Sequence, residues 1–109
     1  MNLLQQTWEF SEWLQDLRDH RAKARIVARL SAATVGNFGE CAPVGEGVSE
    51  MKIHFGPGYR VYFVHSGSVV YVLLCGGDKS TQMSDIKRAK AMAAQVSKEW
   101  IDESQRTTR

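Results

Sequence analysis

The spacing of apolar residues divides the chain into stretches of two kinds. From Val48 to Phe55, apolar Val48, Met51, Ile53 and Phe55 alternate with Glu50, Lys52 and His54. A period of two predicts a strand with one buried face and one wetter face. Gly56-Pro57-Gly58 then breaks the run, because proline fixes φ and glycine permits φ > 0. A second extended run, Tyr59 to Val64, carries Arg60, and His65-Ser66-Gly67-Ser68 supplies another tight turn. The third run, Val69 to Cys75, is almost wholly apolar and β-branched, which predicts the most buried strand. Turns this short predict an antiparallel meander of three strands.

The flanking stretches have helical spacing. Phe10, Trp13, Leu14 and Leu17 fall at i, i+3, i+4 and i+7, with Thr7 as N-cap and Glu9 in the first turn. Trp13 is expected to be a core anchor. Asp19 can cap a second helix reaching about Val35, with Ala22, Ile26, Leu30 and Ala33 as its apolar stripe. A last helix is expected from about Met83 to Ile101, burying Ile86, Ala89, Ala93, Val96 and Trp100. Leu3 to Thr7 suits an edge strand, Gly36-Asn37-Phe38-Gly39 ends the second helix, and the chain from there to Gly47, with Pro43, Gly45 and Gly47, reads as irregular.

These elements fit one α+β domain over residues 1–109, ordered β-α-α-β-β-β-α. The expected arrangement is a twisted antiparallel sheet with the helices packed on one face. The opposite face is expected to be open and to carry Lys52, His54, Arg60 and, from the loop after the third run, Lys79, with no matching carboxylates beside them.

Charge adds a distribution rather than a total. The net charge is only +2, but Arg18, Arg21, Lys23, Arg25 and Arg29 crowd one segment, and Lys87, Arg88 and Lys90 another. Such runs are solvated helix faces or surfaces for nucleic acid or an acidic partner. Cys41 and Cys75 have no metal-ligand spacing and make no disulfide framework, which predicts reduced thiols in a cytoplasm. No apolar run approaches a membrane span, and the N-terminus lacks a signal peptide's basic region and apolar core.

The chemistry open to these residues is narrow. Three scattered histidines and no convergent Asp/Glu set predict no metal site and no cofactor. Gly76-Gly77-Asp78-Lys79-Ser80-Thr81 shares only the ending of a phosphate-binding loop, without its preceding spacing. A cationic face suits a phosphodiester. RNA can supply its own 2′-hydroxyl as nucleophile, so the protein needs a base, an acid and cations for the charge that builds on phosphorus. Arg60 and Lys79 suit the charge-holding role, and His54 and Lys52 proton transfer. The plainer alternative is that Lys52 and His54 fill a solvated sheet face.

Four strings occur in order: Gly36 to Gly39 (GNFG), Pro43 to Glu50 (PVGEGVSE), Phe55 to Phe63 (FGPGYRVYF) and Leu73 to Gln82 (LLCGGDKSTQ). On these the chain resembles the RelE/ParE superfamily of type II toxin–antitoxin toxins, and within it the HigB-like addiction module killer group. The resemblance implies a RelE-like fold and an mRNA endoribonuclease that works in the ribosomal A site without metal. It implies a cognate antitoxin, a helix-turn-helix protein encoded beside it, the ribosome and mRNA as further partners, and no membrane. By position it assigns catalysis to Lys52, His54, Arg60 and Lys79; Tyr59, Tyr62, Asp78, Arg21 and Arg25 are expected to contact substrate. The last helix lacks the tyrosine that several such RNases carry, which leaves Asp78, Tyr59 or Tyr62 for that role. ParE-like members with the same fold poison DNA gyrase instead, and a non-catalytic binding module is a third reading.

Overall fold

A computed structural model of the chain describes the backbone of residues 1–107 and side chains through residue 96. The expectation for Trp100 lies outside the described side chains. In chain order the elements are β1 (Leu3–Gln6), α1 (Trp8–Asp16), α2 (His20–Thr34), β2 (Cys41–Gly45), β3 (Val48–Ile53), β4 (Tyr59–His65), β5 (Val70–Asp78), a single 3₁₀ turn (Lys79–Thr81) and α3 (Gln82–Thr107). The architecture is α+β. Among the described residues, no helix is long and apolar enough to cross a membrane.

The helices begin where the sequence places their caps. Thr7 Oγ1 accepts from the Phe10 amide at 3.1 Å and donates to the Leu74 carbonyl at 2.6 Å, so one hydroxyl caps α1 and fixes it to β5. Asp19 accepts from the amides of Arg21 and Ala22. The apolar stripe of α2 is buried as its period requires: Ala22, Ile26, Leu30 and Ala33.

The sheet has five strands in the order β1-β5-β4-β3-β2. The meander β3-β4-β5 is antiparallel, but β1 joins β5 in parallel, so the sheet is mixed rather than wholly antiparallel. Cys41–Gly45 forms an edge strand on β3 rather than an irregular segment. Pro43 is tolerated there because an edge strand has one side free of ladder hydrogen bonds.

The helices cover both faces of the sheet, which corrects the expectation of a single covered face. Phe10 and the α2 stripe pack with Met51, Ile53, Tyr59, Val61, Phe63 and Leu73. Ala89 and Ala93 of α3 pack with Val48, Tyr62, Val72 and Leu74 on the other side. Tyr62 lies between Val61 and Phe63 on one strand, so strand alternation puts the two clusters on opposite faces. Trp13 is half buried, edge-on to Tyr59 with ring centroids 6.3 Å apart.

Where β4 and β5 pair, the register shifts between Tyr62 and Phe63, opposite Cys75 and Leu73 respectively. The bulge leaves Leu74 over and re-aims the end of β5. Gly77 then faces α3 so closely that a Cβ there would collide with the Asp85 carboxylate. Asp85 is itself buried, holding Thr81 Oγ1 and, at 3.2 Å, Arg88 Nη2. The N-terminal turn of α3 is thereby pinned to the sheet beside Arg60, whose ladder partner is Gly77.

Candidate phosphate-binding site

The site grows from alternate positions of the central strands. Glu50 pairs with Tyr62 and Lys52 with Arg60 across the β3–β4 ladder. All four therefore lie on the α3 face. Helix α3 covers the Glu50–Tyr62 end and stops short of the Gly56-Pro57-Gly58 turn. The expected open face is thus reduced to one uncovered end.

Beneath that end lies a buried polar group. Glu50 is 2% exposed, Tyr62 fully buried and Arg60 7% exposed. Glu50 Oε2 accepts from Tyr62 Oη at 3.0 Å and from Gln82 Nε2 at 2.7 Å. Burial, then the hydrogen bond to Glu50, hold the Tyr62 phenol far above the usual tyrosine range. Arg60 Nε lies 3.8 Å from the same Oε2, close enough for charge attraction but too far for a hydrogen bond. Among the described residues, Arg60 Nε and Nη1 have no hydrogen-bond partner. Both atoms are enclosed by protein, and the Glu50 charge beside them offsets part of the cost of burying the guanidinium.

Arg60 lines a cleft of about 320 Å³ together with His54, Phe55, Gly56, Pro57, Gly58 and Lys79. Gly58 has φ +81°, and a Cβ there would sit 3.8 Å from Arg60 Nη1 and 3.6 Å from Lys79 Cβ. Its bare backbone keeps the space between the two cations clear. Among the described residues, no carboxylate lines the cleft. His54 stands on the rim, its Nε2 2.9 Å from Glu40 Oε1. That hydrogen bond, reinforced by the charges of His54, Lys52 and Arg29, lowers the Glu40 pKa. When the imidazole is neutral and gives its Nε2–H to Glu40, Nδ1 is left as a proton acceptor.

Several expected site residues stand elsewhere. His54, Arg60 and Lys79 are brought together, while Lys52 shares their face without lining the cleft. Carboxylates do accompany the cations, contrary to expectation: Glu50 sits behind Arg60 and Glu40 beside His54. Tyr59 belongs to the opposite core, against Trp13, and is not among the residues lining the cleft. Tyr62 is fully buried, so it supports Glu50 and touches nothing outside. Asp78 caps the 3₁₀ turn, accepting from the Ser80 amide at 2.8 Å. Arg21 and Arg25 line a separate hollow with Ala24, Ala28 and Phe55. Arg29, one turn further along α2, donates to the carbonyls of Lys52, Phe38 and Glu40 and fastens the loop before β2.

Sequence reasoning missed Glu50, Gln82 and Glu40. Glu50 carried a signal: it shares strand parity with Lys52 and, across the turn, with Arg60. Gln82 and Glu40 carried none, because each reaches the site only through the fold, 32 and 14 residues from its partner. Among the described residues, no three His, Cys, Asp or Glu side chains converge as a metal ion requires. Both cysteines are free thiols, and burial raises the pKa of each.

No family model matches the chain. A Haemophilus influenzae protein described as an uncharacterized protein is 48% identical to it over 90 residues, which span 83% of this chain and 91% of that protein. Identity at that level runs through nearly the whole of both chains, and the chain belongs to the family of that Haemophilus protein.

Proposed function

We propose that the chain is an endoribonuclease of the RelE/ParE superfamily, HigB-like in type, that cuts mRNA on the ribosome as the toxin of a type II toxin–antitoxin pair. In this reading it has a RelE-like fold, works in the cytoplasm and is held in check by an antitoxin encoded beside it. The observation that carries the reading is the cleft at Arg60, where His54 and Lys79 join the guanidinium and, among the described residues, no carboxylate lines the wall. A guanidinium meets a phosphodiester with paired N–H donors, and Lys79 adds a point charge on the same cleft.

The residues divide the reaction between them. His54 Nδ1 takes the proton of the ribose 2′-hydroxyl while Glu40 holds the imidazole from its other nitrogen. The 2′-oxygen attacks phosphorus. Arg60 and Lys79 hold the charge that grows on the non-bridging oxygens, each such donor contributing roughly 10²- to 10³-fold. The bond to the 5′-oxygen breaks, and that oxygen takes a proton from Lys79, the remaining donor on the cleft wall. A 2′,3′-cyclic phosphate and a free 5′-hydroxyl result. A placed acid or base contributes about 10²- to 10⁴-fold.

Primer extension on messages from a translating extract tests the proposal. Discrete cuts are expected with the wild-type chain and a loss of at least about a hundredfold with Lys79→Ala. Growth arrest with intact messages and gyrase trapped on DNA would overturn it in favour of the ParE-like reading.

A further inference from the structure

A second hollow, of about 450 Å³, adjoins the phosphate cleft and shares one wall with it, the Phe55 ring. Its other walls come from one face of α2. Arg21 and Arg25 are one helical turn apart, as are Ala24 and Ala28. The two alanines leave the depth, and the two arginines edge it. The Arg25 guanidinium lies 4.5 Å over the Phe55 ring centroid, which holds it as a planar surface beside the hollow. Among the described residues, no carboxylate lines either depression and neither Arg21 nor Arg25 is in an ion pair.

We infer that this hollow is a nucleobase subsite: it takes the base next to the phosphate held at Arg60, so that a single RNA strand crosses the Phe55 ring from one hollow to the other. The inference rests on the reading of the cleft as a phosphodiester site. A nucleotide is anionic at one end and flat and apolar-faced at the other, and the two hollows present those requirements in succession. Aromatic rings and arginine planes are the usual platforms for unpaired bases. An acidic peptide would satisfy Arg21 and Arg25 but would leave the alanine floor and the stacked plane unused. A duplex keeps its bases inside and cannot lower one into a concavity on α2. Because every base has a stacking face, the subsite accepts all four with little preference.

The test uses the full chain and fluorescent single-stranded tetranucleotides carrying 2′-O-methyl groups, which remove the nucleophile. One tetranucleotide bears all its bases and a second set is abasic at each position in turn. Fluorescence anisotropy is expected to show about tenfold weaker binding for one abasic position. Phe55→Leu, with folding checked by thermal melting, should abolish that difference while keeping the weaker affinity. If Arg60→Lys and Lys79→Ala leave all affinities unchanged, the phosphate reading fails. If those variants weaken binding but every abasic strand binds the wild-type chain as well as the full one, the base subsite is wrong and the phosphate reading stands. Displacement of the strand by an equal concentration of a glutamate-rich peptide would assign the hollow to an acidic protein surface. Absence of binding by any strand would overturn both readings.

Discussion

The two faces of the sheet are built on different terms. The face under α1 and α2 is filled by apolar and aromatic side chains: Phe10, Ile26, Met51, Val61 and Leu73. The face under α3 buries three charged side chains, Glu50, Arg60 and Asp85, among Val48, Tyr62 and Leu74. The first face needs only shape and hydrophobic transfer to be stable. The second keeps ionic groups that a purely structural core would replace with hydrocarbon, because removing water from charges costs several kcal/mol each. The difference teaches that the α3 face is organised to hold Arg60 in place, with Glu50, Tyr62 and Gln82 as its mounting.

The largest expected effect separates stability from site. Phe10→Ala should destabilise by about 3–5 kcal/mol through transfer loss and a cavity, read by chemical denaturation. The folded fraction should still bind a 2′-O-methyl tetranucleotide with wild-type affinity. Weakened binding by that fraction would mean the two faces are coupled. On the α3 face, Arg60→Met should cost about 3 kcal/mol, because it leaves Glu50 buried without its cation. Adding Glu50→Leu should recover part of that loss, while nucleotide binding stays absent in both variants. A double variant less stable than the single one would show that Glu50 stabilises the fold for its own sake.

A smaller effect is expected from Tyr62→Phe, about 1–2 kcal/mol, since Gln82 continues to donate to Glu50. Its more telling readout is a lower affinity for the tetranucleotide at unchanged secondary structure, as Arg60 loses its fixed orientation. Unchanged affinity would reduce the tyrosine to packing.

The legibility of the chain divides along the same line. Thr7, Asp19 and the α2 stripe were readable because caps and a 3.6-residue period are local properties. The meander was readable from Gly56-Pro57-Gly58 and the turn after His65. That α3 crosses to the other face was not read, although Val72, Leu73 and Leu74 in succession require cover on both sides. Strand β2 was missed because Pro43 and Gly45 signal turns, and only its position at the sheet edge lets them pair. In the site, His54 and Arg60 were legible as residue types flanking one turn, and Lys79 as a cation just after the third run. Their carboxylate partners were not, because the ladder and α3 deliver them from distant sequence. The tyrosines were misplaced for a related reason: each belongs to a face whose cover a strand sequence does not reveal.

The smallest effect concerns the exposed pair on the cleft rim. Glu40 has a lowered pKa, so the stability this pair adds is fully present above the ordinary carboxylate value of 4.5. It is lost as pH falls through the lower folded value. An NMR titration of the Glu40 carboxyl carbon should show a midpoint below 4.5 that rises towards 4.5 in His54→Ala. A midpoint unmoved by that substitution would remove Glu40 as the holder of the imidazole.

The central claim is that Arg60 is held beside Glu50 so that the part of its guanidinium lining the cleft binds an anionic phosphate. Its most direct measurement is the side-chain Nε–H resonance of Arg60, followed by nitrogen–proton NMR during titration with the 2′-O-methyl tetranucleotide. The account predicts a saturable shift of that resonance, following the same binding curve as anisotropy and absent in Arg60→Lys. Saturating nucleotide that leaves the Arg60 resonance in place, while shifting only surface lysines and arginines, would contradict it.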